Sequence, residues 1–516
     1  MVEPLRRESK ESLVEYASRL STVHLSGNGH EERGRIGQFF TAKSVARFMA
    51  GMFDLGSEEI RFLEPGAGTG ILTAAFCEEV IREGGVRSVH IDAYETDGTV
   101  TPLLEKVLSE CENELKKAGV LTSFSIIPED FILKNSGYMR KGSLFEDEDP
   151  PLYDLAISNP PYYKLGKDSQ QAKALPDVVS GQPNMYPLFM ALTSSMLKPR
   201  GQMVFITPRS FCSGLYYKKF REWFLSRNRL LWVHNFESRK QVFDGDEILQ
   251  ENVITKVGKG IEGAFEIKVT ISEDRDLDDL REIQVAPQDV VFRQNGDIFI
   301  RIPASMEDLE TIHTIDSWGH TLHGLGLEIS TGPVVDFRTD FLLKDVKDAE
   351  NAVPLLWMHN LKEMRVKWPN GVKDKPLAIE DREETRNILL PMKNYVVIKR
   401  FTSKEQKRRL YAAVLLKDDL PYEKIGIENH LNYIYRPGGE LTEEEAFGIA
   451  ALLDTKMVDD FFRALNGHTQ VNATEIRCLP LPDMESIRSI GRTVLSREEQ
   501  STISPEAIVQ QVLSID

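Results

Sequence analysis

The sequence predicts a doubly wound α/β domain followed by a mixed α+β domain. From residue 36 to 255, short β-branched apolar runs alternate with longer amphipathic ones, the rhythm that strand–helix–strand crossovers generate. Beyond residue 256 that rhythm stops, and turns such as QNGD, WPNG and RPGGE punctuate irregular stretches. The chain has 516 residues, 41% hydrophobic and 28% charged, which is enough for two or three domains with their own cores. That composition excludes disordered and collagen-like classes.

Residues 1–35 are expected to form an N-terminal extension, a helix at ESLVEYASRL with a polar loop behind it. In the domain 36–255 the strand candidates are RFLEP, SVHIDAYET, SFSII, YDLAIS, QMVFITP and LLWVHNF. TAKSVARFMAGMF, ILTAAFCEEVIREG, TPLLEKVLSECENELKKAG, YPLFMALTSSMLK and YYKKFREWFLS carry helical spacing between them. Parallel strands joined by crossover helices place ligands at the strands' carboxyl ends. Residues 256–516 form the second domain, with no internal repeat.

Lys and Arg number 63 and Asp and Glu 80, a net charge of −17. A chain this acidic is not a general polyanion binder, so any nucleic-acid surface has to be local. The second domain offers one: residues 351–417 hold 15 Lys and Arg against 7 Asp and Glu. The four cysteines, Cys77, Cys111, Cys212 and Cys478, are far apart, which fits neither a Cys-x-x-Cys metal knuckle nor a disulfide framework. A reducing cytoplasm is expected, and no metal. The N-terminus MVEPLRRESKESLVEY lacks an apolar export core, and no apolar run approaches the ~20 residues of a membrane span.

Three motifs lie where the strands should end. Phe62-Leu63-Glu64-Pro65-Gly66-Ala67-Gly68-Thr69-Gly70 runs from a strand through a glycine turn into a helix; glycines let a ligand approach the backbone, and a helix start presents amides. The glycines stand at 66, 68 and 70, so the Gly-x-Gly-x-x-Gly dinucleotide fingerprint does not fit. Glu-x-Gly-x-Gly-x-Gly instead resembles the S-adenosylmethionine loop of Rossmann-like methyltransferases. Glu95 ends the next strand, where a carboxylate can accept from both ribose hydroxyls, and Asp130-Phe131 follows SFSII, placed to accept from an adenine amino group and cover its ring.

The third motif, Asn159-Pro160-Pro161-Tyr162, follows YDLAIS directly. The prolines lack amide donors and fix φ, leaving carbonyls to accept. An amino group on a heteroaromatic ring is a poor nucleophile, because its lone pair is delocalised. The Asn159 side-chain oxygen and the Pro160 carbonyl can each take one amino hydrogen, drawing the nitrogen toward tetrahedral geometry. Tyr162 offers a face for the base, and stacking contributes roughly 1–3 kcal/mol.

Together, Gln38-Phe39-Phe40-Thr41, the glycine loop, Glu95, Asp130-Phe131 and the Asn-Pro-Pro-Tyr tetrad resemble the TaqI-like gamma class of adenine amino-methyltransferases of restriction–modification systems. The resemblance implies a Rossmann-like S-adenosylmethionine-dependent methyltransferase domain with a C-terminal mixed α+β target-recognition domain. It assigns Phe40, Thr41, Glu64, Pro65, Gly66, Ala67, Gly68, Glu95, Asp130 and Phe131 to the cofactor. To catalysis it assigns Asn159, Pro160, Pro161 and Tyr162, with Phe243 packing on a flipped base. Ser330–Phe337, Val397–Phe401, Asn466–Asn472 and Leu479–Pro482 resemble segments recurring in restriction–modification methylases.

Lys399, Arg400, Lys404, Lys407, Arg408 and Arg409 cluster within IKRFTSKEQKRRLY, where they can neutralise phosphates; the competing reading is a solvated helix face. Arg200, Arg209, Lys218 and Lys219 would also suit a DNA cleft. The expected function is methyl transfer to the exocyclic amino group of a flipped adenine in double-stranded DNA, with a separately encoded restriction endonuclease as a candidate partner. Two alternatives stay open: a methyltransferase of RNA or protein glutamine using the same tetrad, and a non-catalytic DNA-binding module.

Overall fold

The structure is a computed structural model that describes residues 6–27, 41–139, 152–181, 183–237, 251–294, 296–370, 372, 375–402, 406–466, 470–497 and 504–515. It divides into two units, residues 1–304 and 305–516.

The first unit is built on a nine-stranded sheet. Its strands are β1 (Glu59–Pro65), β2 (Ser88–Tyr94), β3 (Leu121–Ile127), β4 (Tyr153–Ser158), β5 (Leu197–Pro208), β6 (Asn228–Phe236), β7 (Asn252–Lys259), β8 (Ile267–Ser272) and β9 (Arg281–Val285), in the order β3-β2-β1-β4-β5-β7-β6-β8-β9. The first five pair in parallel, and β7 runs antiparallel between β5 and β6. The central strands are apolar on both faces, as helices on both sides require: Phe62, Leu63, Ile91, Ala156 and Val204 are all buried. Phe62 stacks on Phe76 of the helix Ile71–Glu83 with ring centroids 3.8 Å apart, which fixes that helix on β1. Because β1 pairs with β2 on one side and β4 on the other, the strand order reverses beside it. A crevice opens at such a switch point.

The unit is larger at both ends than the sequence implies. The helix Leu13–Gly27 buries Leu13, Val14, Ala17 and Leu20, and the Val14 amide donates to Glu78 at 2.9 Å; the extension therefore belongs to the unit's core. At the other end, β8 pairs with β6 and β9 with β8. The hairpin Val291–Gln294/Asp297–Ile300 is held by the fully buried Arg221, whose guanidinium pairs with Asp297 at 3.0 Å. The unit boundary thus falls after Ala304 rather than after residue 255. The strand–helix rhythm stops near residue 256 because β7, β8 and β9 follow one another without crossover helices, while still pairing in the same sheet.

The second unit is mixed α+β, as expected. A six-stranded sheet runs in the order Glu328–Thr331, Leu431–Tyr435, Tyr395–Lys399, Ala412–Leu415, Arg365–Val366, Leu361–Lys362. A five-stranded one runs Leu342–Leu343, Ala378–Glu380, Ala352–Leu356, Lys424–Ile427, Leu389–Pro391. Helices Glu443–Leu453, Lys456–Leu465, Met484–Arg497 and Pro505–Leu513 share one core with the first sheet. The helix Glu443–Leu453 starts in a Thr442/Glu445 capping box, which satisfies two otherwise orphaned amides. Among the described residues no helix is long and apolar enough to cross a membrane.

Candidate active site

The glycine loop lies at the carboxyl end of β1. Gly66, Gly68 and Gly70 have φ of +75°, +54° and +84°, left-handed values that other residues rarely adopt. Gly70 is also constrained sterically, since a Cβ there would meet Leu104 Cδ1 at 2.8 Å. The loop is fastened by Ala67 N–H donating to the Tyr94 carbonyl at 2.8 Å and Gly68 N–H donating to Glu95 at 2.8 Å. Glu95 thus supports the loop through one oxygen and takes the Asp97 amide at 2.7 Å through the other. Each carboxylate oxygen has a second acceptor site for a ligand hydroxyl.

Glu64 lies behind the loop, buried, accepting from the Thr73 amide at 3.1 Å and from the Thr73 hydroxyl at the start of the helix Ile71–Glu83. Burial pushes its carboxyl from the ordinary 4.5 up to about 8, the Thr73 bonds opposing and Glu95 adding to the rise. The folded chain therefore binds this proton more tightly than the unfolded chain. The stability it contributes is complete below the ordinary carboxylate value and fades as pH rises through about 8. Glu64→Gln, which cannot ionise, is expected to gain on the wild type in melting temperature between pH 5 and pH 9; a constant difference in thermal denaturation across that range would contradict it.

Loop, strand ends and the tetrad line one cavity, bordered among others by Thr41, Glu64, Gly66, Gly68, Glu95, Phe131, Asn159, Pro161 and Phe189. One wall is aromatic, with Phe131 edge-on to Tyr94 at 5.0 Å and 5.2 Å from Phe189. An apolar slot between Phe131 and Phe189 and the Glu95 carboxyl beside the glycine loop fit S-adenosylmethionine, which carries a purine and ribose hydroxyls.

Asn159 follows β4, and the Ser158 hydroxyl just before it donates to the Pro65 carbonyl at 2.6 Å, tying the tetrad to the glycine loop's strand. The Asn159 amide nitrogen donates to Thr41 Oγ1 at 3.1 Å, so the amide orientation is set. Tyr162 differs from expectation. It is buried, its single hydroxyl proton shared between Asn159 Oδ1 and the Ile206 carbonyl, with its ring edge-on to Tyr186. It braces Asn159, and of the two adjacent tyrosines it is Tyr163 that lines the cavity. Asp130 caps the helix Phe131–Asn135, accepting from the Leu133 amide and from Gln171 at 2.9 Å each, while Glu129 and Phe131 reach the cavity wall. Phe40, Phe243 and Lys404 lie outside the described residues.

The chain's order of motifs can be compared with known proteins. The Eco57I restriction-modification methylase model matches residues 102–243. The type II methyltransferase M.BsuBI of Bacillus subtilis is 35% identical over 476 residues, 91% of this chain and 92% of the relative. The chain belongs to the type II methyltransferases. M.PstI of Providencia stuartii, another type II methyltransferase, is 34% identical over 482 residues, 93% of each chain. Among solved structures, the type IIL restriction-modification enzyme MmeI in complex with DNA aligns over 97% of this chain and 74% of its own, with TM-score 0.55 and 11% identity, a likeness of fold alone.

In the basic cluster of this type II methyltransferase, Arg409, Arg408, Arg400 and Lys399 each have a partner within the second unit. Among the described residues between the strands Tyr395–Lys399 and Ala412–Leu415, none is helical. Arg409 is 1% exposed, donating to Thr402 at 3.1 Å and Asn466 at 2.9 Å. Arg408 pairs with Asp454, and Arg400 donates to the Asn429 carbonyl at 3.1 Å. Lys399 sits over the Tyr411 ring at 4.7 Å, and Lys407 is exposed. Arg209, another cleft candidate, is buried 3.7 Å from Glu251. The second unit does gather the motif segments of its sequence. Val471 N–H donates to the Arg400 carbonyl at 2.7 Å, Asn432 bonds the Val471 carbonyl at 2.8 Å, and Thr331 donates to Asn432 at 2.9 Å.

The type II methyltransferase's site includes residues the sequence reading missed: Tyr163, Phe189 and Glu129. Glu129 and Tyr163 are immediate neighbours of assigned positions. Phe189 comes from the helix Met185–Ser195, whose apolar side chains gave no cue distinguishing cavity from core.

Proposed function

We propose that this methyltransferase moves a methyl group from S-adenosylmethionine to the exocyclic amino group of an adenine rotated out of double-stranded DNA. It would act as the modification partner of a separately encoded endonuclease. What carries the reading is Asn159 at the end of β4, its amide nitrogen committed to Thr41 and its oxygen braced by Tyr162 beside the cavity. When bound, the cofactor supplies an electrophilic methyl on a sulfonium. Asn159 Oδ1 and the Pro160 carbonyl accept the two amino protons, so the nitrogen lone pair is concentrated on the side left open. Glu95 holds the ribose hydroxyls and Phe131 covers the cofactor's ring. No strong base is required, because a methylated ammonium nitrogen loses its proton readily; positioning dominates.

A paired adenine buries its amino group, so it must leave the helix, at a cost of a few kcal/mol. Tyr163 and Phe243 are the aromatic candidates for receiving it. The second unit would read neighbouring base edges in the major groove, where the four pairs are distinguishable. Membership of the type II methyltransferases, with the match to a restriction-modification methylase model, supports DNA as the substrate.

The test is product analysis after incubation with labelled methyl donor and duplex DNA, RNA or protein. N6-methyladenine in DNA is the expected product. N4-methylcytosine would overturn the adenine assignment, label in RNA or glutamine would overturn DNA, and binding without any transfer would favour a recognition-only module.

A further inference from the structure

After β5 ends at Pro208, the chain turns through Arg209–Cys212 and Leu215–Tyr217 before entering the helix Lys218–Arg227. The tip of this turn is apolar and open to solvent, Leu215 being 56% and Tyr216 52% exposed. It leaves the same edge of the sheet as the tetrad, because β4 and β5 are parallel neighbours. A row of rings links the two: Tyr162 lies 6.1 Å from Tyr186, and Tyr186 lies 5.7 Å from Tyr217.

The tip is also braced. Arg221 donates to the carbonyls of Phe211 at 3.0 Å and Gly214 at 2.7 Å, so both ends of the turn are tied to a buried guanidinium. Tyr216 rests so closely on Gly181 that a Cβ there would stand 2.3 Å from Tyr216 Cδ1. Lys218 and the exposed Lys219 follow immediately. An apolar pair held out into water loses the favourable burial it could have, and a loosely held one would fold back. A rigid apolar point followed by two cations matches one surface in particular. A duplex that has lost a base from its stack exposes apolar ring faces above and below the gap, with phosphates alongside.

We propose that Leu215 and Tyr216 enter the stack vacated by the extruded base and hold it open, with Lys218 and Lys219 on the adjoining phosphates. This rests on the base-extrusion reading above. Both side chains are exposed, so the full-length double variant Leu215→Ser/Tyr216→Ser should fold, which its melting temperature and S-adenosylmethionine binding check. On a paired duplex that the wild type methylates, the variant is expected to lose about 30-fold or more in kcat/KM, given an unstacking cost of a few kcal/mol. With an abasic site opposite the target, where extrusion costs little, the loss should shrink below about 3-fold. With 2-aminopurine at the target position, the wild type should raise its fluorescence and the variant should not, while Leu215→Met should behave as wild type.

Equal losses on both duplexes, or none on either, would overturn the wedge. So would an effect confined to self-association in sedimentation, which would make the tip a protein contact, or a fluorescence rise that persists in the variant. A wild type that methylates without a fluorescence change would overturn base extrusion itself, and the wedge with it.

Discussion

Asn159→Ala should lower single-turnover methyl transfer by about 10²–10³-fold, the range seen when one hydrogen-bonding group aimed at developing charge is removed. The alanine removes the acceptor proposed to take one amino proton, and it also removes the contacts to Thr41 Oγ1 and the Tyr162 hydroxyl, which keeps the Ile206 carbonyl. Thr41 lines the same cavity, so cofactor affinity should fall by a few-fold at most, far less than the chemical step. DNA affinity should also hold, since phosphate contacts dominate it. Asn159→Asp separates the two effects: it keeps an acceptor but loses the donation to Thr41. Rapid-quench measurement with saturating DNA and cofactor reads the chemical step directly. Turnover within a few-fold of wild type for Asn159→Ala would exclude the tetrad as the activating group and leave the cavity without a mechanism.

Gly491→Ala should destabilise the second unit severely, by about 3 kcal/mol or more, because overpacking against backbone cannot relax by rotamer change. Gly491 lies on the helix Met484–Arg497 where it crosses Glu443–Leu453, and a Cβ would stand 1.8 Å from the Glu444 carbonyl oxygen. Gly448 on the other helix is as tight, with a Cβ 2.0 Å from the Ile487 carbonyl. The two glycines let the helix backbones touch, and Ile487 and Ile490 enter the same core as Phe447 and Phe461. Denaturant unfolding is the appropriate measurement. Gly68→Ala, by contrast, meets nothing within 4 Å, and its effect should be confined to the loop's left-handed φ. A Gly491→Ala protein with unchanged midpoint would mean that the helices can part without loss.

The first unit was largely legible in the amino-acid order because its strands are short, buried on both faces and joined by amphipathic helices. RFLEP, SVHIDAYET and YDLAIS each begin and end within two residues of β1, β2 and β4. The site was legible where chemistry forces rare residues into a small space: glycines with positive φ, a carboxylate at a strand tip, two prolines after an asparagine. It was not legible where a side chain's direction depends on partners far along the chain. Nothing local says that Arg409 turns inward toward Asn466 or that Tyr162 points at the Ile206 carbonyl. A cluster of basic letters reads as a surface until the acceptors that neutralise it are known. The same holds for Leu215 and Tyr216, which look like ordinary core residues in sequence and stand in solvent.

The embrace between Arg221 and the hairpin at Asp297 bears on how such enzymes acquire new targets. Exchanging the second unit, proposed to read the target, between relatives is profitable only if the cut leaves each partner's interior intact. A junction at residue 256 would strip β6 of its neighbour and leave an arginine with no counter-charge inside the donor half. One placed between Ala304 and Ser305 severs neither, making it the natural seam for shuffling specificities.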